Sequence, residues 1–379
     1  MNFLNSIRMD ISKYNNIQNI QKKRTGLLNI GATCYINTLI QCLLSCPVFR
    51  EFILSKDYYN RITNNDKDIY MIKELESIFN SMWVGGHSLK PIRFLKTLAL
   101  KFDYIYVNEQ NDVHEIFLLI INKLNEEIKT RINLDNIDLI FNNQTNNYTT
   151  NTTDNNFNEL KTKCTRKWFK ILKDEYSELN EIMYYHSISQ ILCGHCNHIH
   201  HNHDISCVLD IELGKFQHGT SLKKCIENHI SKIHLNIDED SNWKCDKCNN
   251  CMKSEKVIKF WKLPPVLVIC LKRFGYDKKQ GTMTKINTII NIPFEIDLNN
   301  LVISGNDNLY VLNAVSCHIG NIRGGHYYSL VNTTDTKDIN NNKPYKFKLI
   351  DDTSISNINE KQLIEHINNN AYLLFYTKK

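Results

Sequence analysis

The chain has 379 residues, 42% hydrophobic and 23% charged, the balance of an ordinary globular protein able to bury a large core in about two or three structural units. Its formal charge of +6 is modest, and the lysines are scattered beyond the short "QKKR" at 21–24, so no nucleic-acid footprint is expected. The N-terminus lacks a continuous apolar stretch, and nowhere do about 18 apolar residues run together, so neither a secretory signal nor a membrane span is expected.

These features predict an intracellular protein, cytoplasmic or nuclear, in which thiols stay reduced. The 13 cysteines then read as core thiols, metal ligands or catalytic groups rather than a disulfide framework.

Residues 1–24 are polar and read as a flexible lead-in. From Thr33 onward Ile36, Leu39, Ile40, Leu43 and Leu44 fall on one helical face, and Pro47 stops the run. Helical patterns follow at 70–80 and 91–101, and a strong one at 112–127 has a stripe of Val113, Ile116, Phe117, Ile120 and Leu124. The Asn- and Thr-rich segment 141–160 has few apolar residues and reads as a loop insertion. After about residue 180 short β-rich runs dominate: "CVLDIEL", "PPVLVICLKRF", "YVLNAVSCHI", "HYYSLVN", "YKFKLID" and "AYLLFYT". Helices first and strands later predict an α+β fold.

Three stretches carry chemistry. In "NIGATCYINTLIQCLL" a helix starting at Thr33–Cys34 places the Cys34 sulfur at the positive end of the helix dipole, which favours a thiolate. Asn29, five residues upstream, offers a side-chain N–H to an oxyanion hole. Taken alone, the stretch favours the reading of Cys34 as a buried spacer over a catalytic one. His326 in "GNIRGGHYYSLVN" stands apart from the histidine tract at 195–203, and Gly324 and Gly325 before it permit unusual backbone angles and close approach of a substrate. A simple turn histidine is the competing reading. In "FKLIDDTSIS" a strand ends in Asp351 and Asp352, either a strand-ending turn or a carboxylate orienting the imidazole.

"CGHC" at Cys193–Cys196 and "CDKC" at Cys245–Cys248 form two C-x-x-C knuckles whose four thiolates suit tetrahedral Zn²⁺. A redox pair is the rival, without thioredoxin-like context. His195, His198, His200, His201, His203, Cys207 and Cys251 lie nearby as substitute ligands, although a solvated loop is the preferred reading of the histidines. With four protein ligands, such a zinc is structural.

The chain resembles the ubiquitin-specific proteases, a family of cysteine deubiquitinases. "GLLNIGATCYINTLIQCLL" resembles that family's Cys box and "GGHYYSLVN…YKFKLIDD" its His box, while "LPPVLVICLKRFGYD" with "INIPFEIDL" matches its palm strands and "NEQNDVHEIFLLIINKL" its thumb helix. The resemblance runs from about 25 to 377 and implies a papain-like catalytic domain over 25–379. Within it lie a helical thumb at about 25–180, zinc-binding fingers at about 181–262 and a palm at about 263–379. It implies Cys34 as nucleophile, His326 as base and acid, Asp351 (or the adjacent Asp352) as the orienting acid, and Asn29 as oxyanion support. Asp112 and Glu115 are implied as carboxylates for the arginines of ubiquitin's tail, although Asp112-x-x-Glu115 is also a plausible helix capping box. Gly324, Gly325, His318 and Tyr327 are implied to line the cleft. The expected activity is hydrolysis after the C-terminal glycine of ubiquitin, by a monomer, with zinc structural and no cofactor in catalysis. The same chemistry on another ubiquitin-like modifier, and a non-catalytic zinc scaffold that binds ubiquitin, are the alternatives.

Overall fold

A computed structural model describes residues 10–14, 24–62, 68–106, 109–133, 152–214, 216–235, 243–250, 254–277, 281–305, 307–321, 324–334 and 345–379. Most of the expected lead-in at 1–24, and the first part of the low-complexity segment, 141–151, lie outside the described residues.

The first helix, α1 (Cys34–Ser45), is buried along its whole length. Its apolar stripe enters the core, and its polar stripe of Asn37, Gln41 and Ser45, spaced by four, meets the extended chain 24–27. Gln41 donates to the Thr25 carbonyl at 2.8 Å, Asn37 to the Leu27 carbonyl at 3.4 Å, and Arg24 to Ser45 Oγ at 2.9 Å. Pro47 ends the run as expected, yet it also opens a second helix, α2 (Pro47–Ser55), at a 91° bend. Proline suits a first helical position, where its missing N–H has no partner to lose. The periodic segments appear as α3 (Met71–Val84), α4 (Ile92–Lys101) and α5 (Val113–Ile128).

The expected loop at 141–160 needs correction, because residues 152–160 are the front half of helix α6 (Thr152–Ile171). The rear half explains this: Cys164 is buried beside Ile188 and Trp261, and Trp168 and Phe169 pack with Tyr176. A helix nucleated there extends cheaply through polar residues. A short helix, α7 (Glu178–Met183), follows under a Ser177/Asn180 capping box. No single helix among the described residues is long and apolar enough to cross a membrane.

Strands β1 (Tyr185–Leu192) and β2 (Ile199–Ser206) form a hairpin, and β3 (Leu209–Glu212), β4 (Thr220–Ser221), helix α8 (Leu222–His229), β5 (Ile233–Leu235) and β6 (Ser254–Lys262) follow. The order β2-β1-β6-β5 makes a four-stranded antiparallel sheet. The preferred loop reading of the histidine tract is corrected here, because His200, His201 and His203 lie on β2. That strand is an edge without a fully buried side chain, so it shows no apolar alternation to read.

The remaining strands are β7 (Val266–Lys272), β8 (Phe274–Asp277), β9 (Thr282–Lys285), β10 (Ile290–Asn291), β11 (Glu295–Asp297), β12 (Leu309–Asn321), β13 (Gly324–Asn332), β14 (Phe347–Asp351), β15 (Ser354–Asn357) and, after α9 (Glu360–Asn370), β16 (Ala371–Lys378). The large sheet runs β15-β14-β13-β12-β16-β7-β3, with β11 also on β12, and only the β3–β7 pair in it is parallel. Both faces are covered. Leu373 and Phe375 of β16 join the core shared with the helical lobe, while Leu374 and Tyr376 join the core closed by α8 and α9. That is why these strands read as unbroken apolar runs.

Arg273, fully buried after β7, donates to the carbonyls of Ala371 at 2.6 Å, Thr288 at 2.9 Å and Ile286 at 3.1 Å. Arg273→Met would strand these acceptors and should cost about 3 kcal/mol or more, read as a lower urea midpoint. Arg273→Lys should recover little of it, because a single ammonium cannot reach carbonyls arrayed for the planar fork.

Candidate active site

Cys34 is the first residue of α1, which packs against β12 and β13. Burial pushes the Cys34 thiol up, and the Asp352 carboxylate adds to this, while the backbone N–H groups of Tyr327, Tyr35 and Cys34 itself pull it down. The sulfur therefore sits against the backbone of the residue that follows His326. Among the described residues no hydrogen bond joins the Cys34 sulfur to the His326 ring, so the thiol is protonated at neutral pH in this arrangement.

His326, on β13, pairs through Nε2 with Asp351 Oδ1 at 2.5 Å, at the end of the adjacent β14. With Nε2 held by the carboxylate, Nδ1 is the nitrogen left for chemistry. Asp352 has a different partnership. Its backbone is left-handed at φ 49°, and its carboxylate accepts from Asn37 Nδ2 at 2.7 Å and Asn29 Nδ2 at 2.9 Å. One hydrogen of the Asn29 amide is thus committed to Asp352, and its oxygen accepts from the Thr33 backbone N–H at 3.0 Å. The two adjacent acids, open alternatives in the sequence, are separated by partner: Asp351 to the imidazole and Asp352 to the asparagines.

This turn presses on the chain before Cys34. Leu27 N–H donates to the Asp352 carbonyl at 2.9 Å, and a Cβ on Gly26 would stand 2.6 Å from the Thr353 carbonyl oxygen. Only glycine fits there.

The expectation of unusual backbone angles at Gly324 and Gly325 needs correction. Neither has a positive φ; among the described residues of that hairpin the left-handed glycine is Gly320, φ 92°, which lies within β12 opposite Gly325. Gly325 matters for close approach instead, since a Cβ there would lie 2.2 Å from His318 Nε2 and 2.6 Å from the Ile319 carbonyl oxygen, whereas Gly324 faces open space. His318 is buried, with its ring tilted against that of Tyr327 at 4.6 Å and edge-on to Phe274 at 5.2 Å, and burial lowers its pKa to about 4. Tyr327 is buried beside it, with its ring 6.4 Å from Tyr372.

Asp112 caps α5 by accepting from the His114 N–H at 2.7 Å, and its other oxygen accepts from the Tyr372 hydroxyl at 2.6 Å. The reciprocal half of the expected capping box is not formed; Glu115 is exposed. Gln110 escaped the sequence reading. Its amide spans from the helical lobe to β13, donating to the Gly325 carbonyl at 2.8 Å and accepting from the Gly325 N–H at 3.2 Å. A glutamine two residues before a cap gives no local signal of such a contact.

The two cysteine knuckles meet although about fifty residues separate them. Cys193 and Cys248 sulfurs are 3.8 Å apart and Cys196 and Cys245 sulfurs 3.7 Å, with all four within 4.8 Å. Tetrahedral zinc with Zn–S bonds of about 2.3 Å needs sulfurs about 3.8 Å apart, so the set fits the ion. The knuckles share one backbone geometry. Asn197 N–H donates to the Cys193 carbonyl and Asn249 N–H to the Cys245 carbonyl, each asparagine being left-handed at φ 55° and 59°. No described histidine joins the cluster, and Cys207 lies in the core. Cys251 lies outside the described residues.

Known proteins resemble this chain in sequence and in fold. A solved SAGA DUB module bound to monoubiquitin has the same fold, with a TM-score of 0.68 at 20% identity over 97% of this chain and 74% of that one. Ubiquitin carboxyl-terminal hydrolase 4 of Arabidopsis thaliana is 26% identical over 81% of this chain and 80% of its own length. Ubiquitin carboxyl-terminal hydrolase 2 of Homo sapiens is 23% identical over 93% of this chain, which spans only 54% of the human protein. The family model described as "Ubiquitin carboxyl-terminal hydrolase" matches residues 25–376, nearly the whole chain, and the chain belongs to that family.

Proposed function

We propose that this chain is a deubiquitinating thiol protease that hydrolyses the bond after the C-terminal glycine of ubiquitin. The observation that carries the reading is the placement of Cys34, at a helix start with its sulfur against the backbone N–H of Tyr327, beside His326, which is itself paired with Asp351. His326 Nδ1 takes the Cys34 proton, and the thiolate attacks the glycine carbonyl. The Cys34 N–H and the second hydrogen of the Asn29 amide hold the oxyanion. His326 protonates the departing lysine amine, and water then hydrolyses the thioester. Burial raises the Cys34 thiol and so favours its protonated form, which makes the imidazole's role as base necessary.

The close contact of Gly325 with His318 suits a glycine-ended tail, and Gln110 must exchange Gly325 for substrate as the tail enters. Asp112, fixed by Tyr372, and exposed Glu115 supply carboxylates for the tail arginines. All proposed site residues come from one chain, so a monomer suffices, and free thiols suit an intracellular setting. Zinc in the four-cysteine cluster would be structural, leaving no open position for water.

Intact mass after mixing with ubiquitin bearing a C-terminal electrophile tests the reading. A one-to-one adduct on wild type, absent on Cys34→Ala, is expected; no adduct on folded wild type overturns it, and an adduct only with another modifier's probe moves the substrate.

The paired acids should separate in two measurements. Asp351→Asn should lower kcat/KM for a ubiquitin substrate by about 10³- to 10⁴-fold, through loss of the imidazole's orientation. Asp352→Ala frees Asn29 and should cost about a hundredfold. It also removes a carboxylate that raises the Cys34 thiol, so iodoacetamide should alkylate Cys34 at lower pH than in wild type, although turnover falls. Alkylation slowed together with turnover would mean that Asp352 acts only by holding the structure.

Cys245→Ser with Cys248→Ser should expose the β1–β2–β5–β6 sheet to limited proteolysis and abolish ubiquitin adduct formation, while iodoacetamide still labels Cys34.

A further inference from the structure

Away from Cys34 and the four-cysteine cluster, three side chains from three elements converge. They are His114 in the first turn of α5, Asp210 on β3 and Cys270 on β7. Asp210 and Cys270 are register partners on the parallel strands, and so present side chains to the same face of the sheet. One nitrogen, oxygen and sulfur from the three lie within 4.8 Å of one another.

Two of these atoms are unsatisfied. His114 Nε2 and Asp210 Oδ1 stand 3.3 Å apart but without hydrogen-bond geometry, and both are shut off from solvent with no hydrogen-bond partner among the described residues. Leaving such groups unmade is costly, and structures resolve it with a water, an ion or a functional role. Cys270 is fully buried, while 38% of the Asp210 side chain is exposed, which gives an ion a way in from one side. The mixed donor set discriminates among ions: a thiolate and an imidazole favour zinc-like cations over magnesium or calcium, which prefer oxygen.

We infer that His114, Asp210 and Cys270 form a three-ligand site for a borderline divalent cation of the zinc type, separate from the four-cysteine cluster, with water as the fourth ligand. On binding, the metal–sulfur bond replaces the S–H bond of Cys270, whose proton leaves to solvent, and His114 binds as the neutral ring. The ion would tie the start of α5 in the helical lobe to two strands of the large sheet, two residues from Asp112.

The test is zinc per chain after equilibration of the full chain with buffered free zinc and removal of the excess. Wild type should hold two, and Cys270→Ser and Asp210→Asn one each. Cobalt added to the zinc-loaded protein at its one-zinc stage should give a thiolate-to-cobalt charge-transfer band in wild type and none in Cys270→Ser. Should Cys270→Ser not fold, Asp210→Asn, altered at a partly exposed position, and His114→Ala serve in its place. A wild type that saturates at one zinc, lost only in Cys245→Ser, overturns this inference and leaves the fingers reading intact. A second zinc or a cobalt band that survives all three substitutions also overturns it, as surface binding.

Discussion

The arrangement depends on one backbone constraint, the left-handed conformation of Asp352. Consecutive side chains on an extended strand point to opposite faces, so two adjacent acids cannot ordinarily be placed at will. At φ 49° the chain leaves β14 in a turn, with Asp351 bonded to His326 on the neighbouring strand and Asp352 bonded to Asn29 and Asn37 of the helical lobe. Aspartate is one of the few residues that accepts this conformation readily. The same turn supplies the carbonyls against which Gly26 and Leu27 are pressed. A single left-handed residue therefore ties the helix of Cys34, its leader and the imidazole into one body.

A second constraint acts in the four-stranded sheet. The sheet has little apolar material of its own: β2 has no fully buried side chain, and its neighbour β1 is covered in part by α6 through Cys164 and Trp168. The paired knuckles close its far end with sulfur instead of carbon. Their matching left-handed asparagines turn the backbone so that each pair of thiols faces the other, a geometry that fits a tetrahedral metal ion.

Much of this was legible because the informative residues are local. A period of 3.6 marks α1 and α5, unbroken apolar runs mark the doubly covered strands, and C-x-x-C spacing marks the knuckles. What was not legible depends on partners far along the chain. The sequence could not choose between Asp351 and Asp352, because the choice lies in a turn angle and in asparagines more than three hundred residues away. Gln110 reaching Gly325 and the meeting of His114, Asp210 and Cys270 are likewise properties of tertiary packing. The front of α6 and the strand β2 were missed for the opposite reason: neither has the apolar content from which an element is read.

The position of β16 has a consequence for when the molecule becomes able to act. It lies in the middle of the large sheet, between β12 and β7, and Phe375 on its helical-lobe face packs edge-on against Phe117 of α5. A chain emerging from the ribosome can form its early helices from local contacts, but it cannot join these strands until residues 371–378 have been made. Cys34 is synthesised more than three hundred residues before this strand, and must wait for it before its surroundings are complete. A polypeptide that lacks residues 371–378 thus carries the thiol without the sheet that frames it.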